Sequence, residues 1–307
     1  MQWFRPKERS VVVIGYPNHG KTVFLAGLFW DSFFALSEAF HDARKPYAVR
    51  AANARAGEVF FGNAITLSRL NLPPSSPRTP PEPAVLEFTG IPSLKGGRNS
   101  LRLTFYDIPG EAVSDEEWLL DNAPFLPRAH DIIFIFDPTR EDFAVRALQA
   151  ADLRDKIYRL VPGAERKNYI VALSKMDELR RQSDWAGMVA DYWPGKPPTG
   201  GELKHYFKEM DLLSTVLRDW WADRAQGGRG FVNRVPVNTR YCALSSIGHQ
   251  PEWECGECGS MQRDADPVCA ECRARRNGHS PIRLVRKPEP FRVRDPLFWI
   301  FRSAGAM

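Results

Sequence analysis

Residues 15–22 read Gly-Tyr-Pro-Asn-His-Gly-Lys-Thr, the spacing G-x-x-x-x-G-K-[ST]. These residue types at this spacing suit the binding of a nucleoside triphosphate, the alternative being a chance glycine turn. Gly15 and Gly20 let successive backbone N–H groups wrap the phosphates, Lys21 reaches the β- and γ-phosphates, and Thr22 offers its hydroxyl to Mg²⁺. A second chemistry lies far along the chain. Cys255, Cys258, Cys269 and Cys272 form two C-x-x-C pairs separated by a short polar stretch, with Gly259 placed for the tight turn of a knuckle. Four thiolates at this spacing close a tetrahedral Zn²⁺ site, and with every position a protein ligand the metal is structural. Two disulfides, disfavoured beside a cytosolic nucleotide-binding core, and a rubredoxin-like iron site are the rival readings. His279 is a spare imidazole read as solvated. Cys242, inside an apolar run, reads as a small buried hydrophobe.

These groups must be held by elements that the apolar runs outline. Val11–Ile14, Ala84–Phe88, Leu101–Tyr106, Ile132–Phe136, Tyr169–Leu173 and Val237–Leu244 predict six strands, with helices between most of them, Phe143–Leu160 among these. The glycine loop follows the first run directly. Val23 and the apolar residues up to Trp30 predict a helix whose N-terminus adds positive dipole at the anion. Three more polar clusters sit at strand ends, where open α/β sheets bind ligands. They are Asp107-Ile108-Pro109-Gly110, Ser174-Lys175-Met176-Asp177 and Ala243-Leu244-Ser245-Ser246.

In this order the clusters resemble the D-x-x-G, N-K-x-D and S-A-x elements of TRAFAC-class GTPases, both translation-factor-like and Ras-like, over most of the chain up to about Gly248. The resemblance implies an α/β P-loop G-domain, a three-layer sandwich on a mainly parallel six-stranded sheet. It implies that Asp107 holds Mg²⁺ through water and that the Gly110 N–H senses the γ-phosphate. Asp177 would accept from guanine N1 and N2, with the Lys175 stem over the base, Ser174 in the asparagine position, and a backbone N–H at Ser245-Ser246 meeting guanine O6. The loop Gly15-x-Pro17-Asn18-x-Gly20-Lys21 is most similar to that of the Era and TrmE class. There the residue matching Asn18 ligates K⁺; here Asn18 has that role or simply tolerates a tight turn. His19 matches the D-H-G-K loop of translation factors, or is a solvated loop histidine. Weaker features, the GYPNHGKT loop, Asp107-x-Pro109-Gly110-Glu111 and the Asp295-Pro296-Leu297-x-Trp299 ending, look similar to bacterial GTPases of conflict or defence systems.

The chain also departs from that pattern. Glu111 stands where Ras-like enzymes place the water-orienting glutamine, and a carboxylate facing the γ-phosphate predicts slow unassisted hydrolysis. Glu111 otherwise belongs to the acidic first turn of the next helix, with Ser114-Asp115-Glu116-Glu117. The interval from Lys21 to Asp107 demands an enlarged first switch. Thr79 is the candidate Mg²⁺-sensing threonine within it, the alternative being a proline-rich linker.

The predicted organisation is a G-domain over 1–250, a zinc ribbon over 251–281, and a terminal segment over 282–307. Its helix, starting at Asp295-Pro296, closes the core. Between Asp177 and Val237 an enlargement carries Trp185, Tyr192 and Trp193 and a helix from about Glu202 to Ala225. It offers either a surface for a protein effector or activator, or packing tryptophans. The 307 residues are 43% hydrophobic with a net charge of +5, enough for a substantial core. After the last cysteine, arginines including Arg273, Arg275, Arg276 and Arg283 outnumber acids, so an RNA or anionic-membrane contact stands beside a solvated basic surface, although no RNA-binding motif is visible. No apolar run reads as long enough to span a bilayer and no signal peptide precedes Val11, so the expectation is a cytoplasmic protein. GTP or GDP, Mg²⁺ and Zn²⁺ are the expected cofactors. A GTP-hydrolysing switch and a nucleotide-stabilised scaffold remain the two readings.

Overall fold

The computed structural model describes residues 6–42, 45–74, 79–139, 143–160, 163, 166–179, 197–224, 239–263, 266–276 and 282–307. Trp185, Tyr192, Trp193 and His279 lie outside these residues. Seven strands form one sheet: β1 Lys7–Ile14, β2 Ala48–Ala51, β3 Ala84–Pro92, β4 Arg98–Asp107, β5 Asp131–Phe136, β6 Asn168–Leu173 and β7 Arg240–Ala243. Their order is β2-β3-β4-β1-β5-β6-β7. Pairing is parallel from β4 across to β7 and antiparallel at β2-β3 and β3-β4.

The sheet has seven strands where the sequence predicts six. The added edge strand, Ala-Val-Arg-Ala, buries only Val49. A run of four residues with one buried position shows no period-2 apolar signal, and it becomes a strand by completing hydrogen bonds on the exposed edge of β3.

Helices cover both faces. They are α1 Lys21–Trp30, α2 Leu36–Ala39, α3 Ala54–Ala56, α4 Asn63–Ser68, α5 Glu116–Asn122, α6 Phe143–Leu160, α7 Met176–Leu179, α8 Leu203–Arg224 and α9 Asp295–Ser303. Val11 and Val13 of β1 join one core with Phe24, Leu25, Leu28 and the α9 residues Leu297 and Phe298. Val12 and Ile14 join the other with Ile157 and Trp221. Strand β5 is buried at every position, as a central parallel strand covered on both sides must be. The stretch Lys21–Ala39, continued through a π-helical turn at Asp31–Ala35, is long and apolar enough to cross a membrane by composition, contrary to the sequence expectation. Half of that stretch is buried, because it is the helix packed on the sheet behind the glycine loop.

Helix α9 is docked by charge as well as by apolar area. Arg294 Nη2 meets Asp31 Oδ1 at 2.6 Å, and both side chains are 2% exposed. Arg292 pairs with Asp295 at 2.7 Å, and the Tyr206 hydroxyl donates to Asp295 at 2.6 Å. Burial raises the Asp31 pKa and Arg294 opposes it. A separate antiparallel sheet, β10-β8-β9, comprises β8 Glu252–Glu254, β9 Met261–Arg263 and β10 Ile282–Arg283.

Candidate nucleotide site and cysteine cluster

Strand β1 ends at Ile14, and the chain turns through a loop whose shape is set by two left-handed residues, Asn18 at φ 64° and Gly20 at φ 83°. Gly15 is fixed by contact, since a Cβ there would lie 2.7 Å from the Ile135 carbonyl oxygen of β5. The first helical bond of α1 runs from Phe24 N to Gly20 O at 2.7 Å. The N–H groups of Lys21, Thr22 and Val23 therefore belong to the first turn of α1, a position suited to an anion. Lys21 is 8% exposed and donates from Nζ to Gly15 O at 2.8 Å. Burial lowers its pKa, while the carboxylates of Asp107 and Glu111 pull it back up.

His19 is not solvated. It is 1% exposed, edge-on to Tyr16 and Phe136, and Nδ1 accepts from Asp137 N at 3.3 Å. Its imidazole thus props the loop on the end of β5, a long-range contact that the loop's composition does not announce.

The parallel register pairs Val13 with Asp107, and Ile108 N donates to Val13 O at 3.1 Å. This brings the Asp107–Gly110 turn beside the glycine loop. Gly110 has no room for a side chain, because a Cβ would lie 2.5 Å from Pro17 N and 2.8 Å from Tyr16 C. Glu111 is exposed within the 3₁₀ turn Gly110–Ala112. It lies outside the first turn of α5, which begins at Glu116 with Asp115 as its cap, Asp115 accepting from Trp118 N. Thr79, so far from Asp107 in sequence, lines one cleft with it, together with Pro109, Leu25 and Arg55.

On the other side, Ser174 is buried, and its hydroxyl stands 3.1 Å from His19 O and 3.0 Å from Phe136 O, joining β6 to the glycine loop. Lys175, left-handed at φ 57°, holds the buried Asp137 carboxylate at 2.7 Å. Asp177 lies in the first turn of α7, and its carboxylate accepts from the Ser245 hydroxyl at 2.5 Å. Ser245 Oγ in turn accepts from Gly248 N at 2.9 Å. Ser246 packs against α1, where a Cβ on Gly27 would meet its carbonyl oxygen at 2.8 Å. Asp137 and Arg55 are site neighbours that sequence reading passed over. An acid directly after the buried run Asp131–Phe136 was the available signal for Asp137; Arg55 had none.

The four sulfurs of Cys255, Cys258, Cys269 and Cys272 lie within 4.8 Å of one another, with Cys255–Cys272 at 3.5 Å and Cys258–Cys269 at 3.6 Å. No disulfide joins them, the sulfur contacts being longer than an S–S bond of about 2.05 Å. Tetrahedral ligation at a Zn–S distance of about 2.3 Å places sulfurs ~3.8 Å apart, so the set fits a metal. Each pair is closed by a left-handed residue, Gly259 at φ 72° donating to Cys255 O and Arg273 at φ 64° donating to Cys269 O. A backbone hydrogen bond from Cys272 and the Ser260 hydroxyl lower the Cys269 pKa, whereas burial and hydrogen bonds to the other three thiols raise that of Cys272, so the sulfurs share their protons. Trp253 and Ala274 pack on Cys255 and Cys269 as a small local core.

Among solved structures the chain is similar to sup35 complexed with GDP, at 12% identity and a TM-score of 0.33, over 80% of this chain and 39% of that one. It therefore spans about two fifths of that chain's length. No protein-family model matches the sequence, and no curated protein does.

Proposed function

We propose that the protein binds guanine nucleotides on a P-loop G-domain and hydrolyses GTP slowly as a molecular switch. The observation that carries this reading is Gly110 pressed on the glycine-loop backbone, on the same side of the sheet as Lys21, Asp107 and the Asp177–Ser245 pair. Parallel pairing of β4, β1, β5, β6 and β7 brings all of these to one sheet edge, where doubly wound folds bind ligands. In the complex Lys21 exchanges the Gly15 carbonyl for phosphate oxygens, and the N–H groups of the first turn hold the same phosphates. Mg²⁺, when bound, neutralises phosphate charge; Thr22, Asp107 and Thr79 are the residues to hold it. Asp177, oriented by Ser245, reads guanine N1 and N2, and the Lys175 stem covers the base. The four cysteines hold a structural Zn²⁺.

Glu111 accounts for the slow rate. A carboxylate repels both the γ-phosphate and an incoming hydroxide, and an arginine supplied by a partner raises such rates by roughly 10³–10⁵-fold. The same residue supports a second reading, a scaffold that binds GTP without turnover. Titration with GTP, GDP and ATP analogues tests the first assignment, since equal affinity for ATP removes it. Multiple-turnover phosphate release, with and without cell lysate, separates switch from scaffold. A scaffold releases no phosphate in either.

A further inference from the structure

The cysteine module is stitched to the base-side loop and to the first-switch insertion. Ser245 and Phe291 exchange backbone hydrogen bonds of 3.0 and 2.8 Å, and Glu289 N donates to Ile247 O at 3.0 Å. His249 Nε2 donates to Arg286 O at 3.0 Å. Gly248, at φ 78°, passes so near Glu289 that a Cβ would lie 2.2 Å from its carbonyl oxygen. The chain leaving the module thus backs the loop from which it entered, and that loop carries the hydroxyl that orients Asp177.

The exit strand has a second attachment. Ile282 and Arg283 pair with Trp253 and Glu252 of the module, while Arg283 also bridges Asn71 and Leu284 N donates to Leu70 O at 2.8 Å. Leu284 is 2% exposed, clustered with Ala26 of α1, Leu67 of α4 and Ile247 of the base-side loop, with Val23, Leu70 and Leu72 against them. One side chain therefore joins the module's exit, the base-side loop, the phosphate helix and the segment leading to Thr79. A two-residue strand cannot order itself; its register depends on β8, and β8 depends on the metal-closed knuckles.

We propose that metal occupancy of the four cysteines and nucleotide binding are thermodynamically coupled through residues 282–291, with Leu284 as the positioning residue. This rests on the nucleotide reading above. Linkage is reciprocal: metal loss weakens nucleotide binding by the factor by which nucleotide tightens metal binding.

The test uses the full chain loaded with zinc. A fluorescent GDP analogue is titrated before and after zinc is stripped, and zinc transfer to a chromogenic chelator is measured with and without GDP. We expect GDP to bind about 10-fold more weakly without zinc, and zinc to be held more tightly with GDP by the same factor. Zinc-loaded Leu284→Ala should bind GDP more weakly and yield zinc more readily, and stripping it should cost less further GDP affinity than in the native protein. GDP affinity unchanged within about twofold on stripping overturns the inference, as does an undiminished effect of zinc in Leu284→Ala. If stripping melts the main sheet, seen by circular dichroism, the zinc-loaded variant decides alone; native GDP affinity and native zinc release in it overturn the coupling. Zinc-loaded native protein that binds no guanine nucleotide defeats both readings, an outcome distinct from binding that is indifferent to zinc.

Discussion

Gly110→Ala tests the construction of the site with a single methyl group. The added Cβ would lie 2.5 Å from Pro17 N, 2.8 Å from Tyr16 C and 3.0 Å from Pro17 Cα. All three are backbone atoms of the glycine loop, so no side chain can swing aside and one turn must move off the other. Overpacking of this kind costs about 1–3 kcal/mol. Where the strain is relieved by displacing the phosphate loop, that cost appears as an affinity loss of roughly 5- to 150-fold. The assay is a fluorescent GDP and GTP titration of the variant beside a urea melt, which divides the cost between affinity and stability. Gly57→Ala is the control, since Gly57 is helical at φ −58° and a Cβ there meets nothing within 4 Å. It should leave binding unchanged and stabilise by about 0.4–1 kcal/mol. A Gly110→Ala protein with native affinity and native stability would refute the close packing of the two turns, and with it the single site.

Lys21→Ala should abolish triphosphate binding and any phosphate release while leaving the urea midpoint nearly native, because its Nζ hydrogen-bonds to the Gly15 and Tyr16 carbonyls of its own loop; a collapsed midpoint would give Lys21 a structural role instead. Asp177→Asn should shift preference from guanine to xanthine nucleotides, measured by competition, as the acceptor carboxylate becomes an amide; retained guanine preference counts against Asp177 as the base reader. Asp31→Ala strands the buried Arg294 guanidinium and should destabilise by about 3–5 kcal/mol, whereas an exposed pair such as Arg159–Glu116 should be worth under about 1 kcal/mol. Equal urea-melt losses for the two pairs would contradict the burial of the α9 dock.

What could be read in the sequence was what consecutive residues determine. The glycine loop was legible because its turn is made by neighbouring residues, so its spacing is its geometry. The two cysteine pairs were legible for the same reason, each knuckle closing within a few residues as Gly259 and Arg273 do. Buried strands such as Asp131–Phe136 announced themselves as apolar runs. The edge strand Ala48–Ala51 did not, since its register comes from β3 and its own residues are mostly exposed.

The tertiary structure decided everything that depends on residues far apart meeting. His19 changes from an apparent solvated loop residue to a buried prop only because β5 passes beneath it. Lys175 finds Asp137, and Thr79 reaches the cleft of Asp107, through strand order that no local pattern encodes. Leu284 looks like an ordinary apolar residue after a basic stretch until its N–H is found on Leu70 and its side chain among Ala26, Leu67 and Ile247. Short-range hydrogen bonding and side-chain type are written along the chain, and so the sequence alone determined the glycine loop, the thiol set and the strand cores. Which turns touch, and therefore how the cysteine module and the proposed nucleotide site lean on each other, is decided by sheet pairing and packing across hundreds of residues, where only the folded chain holds the answer.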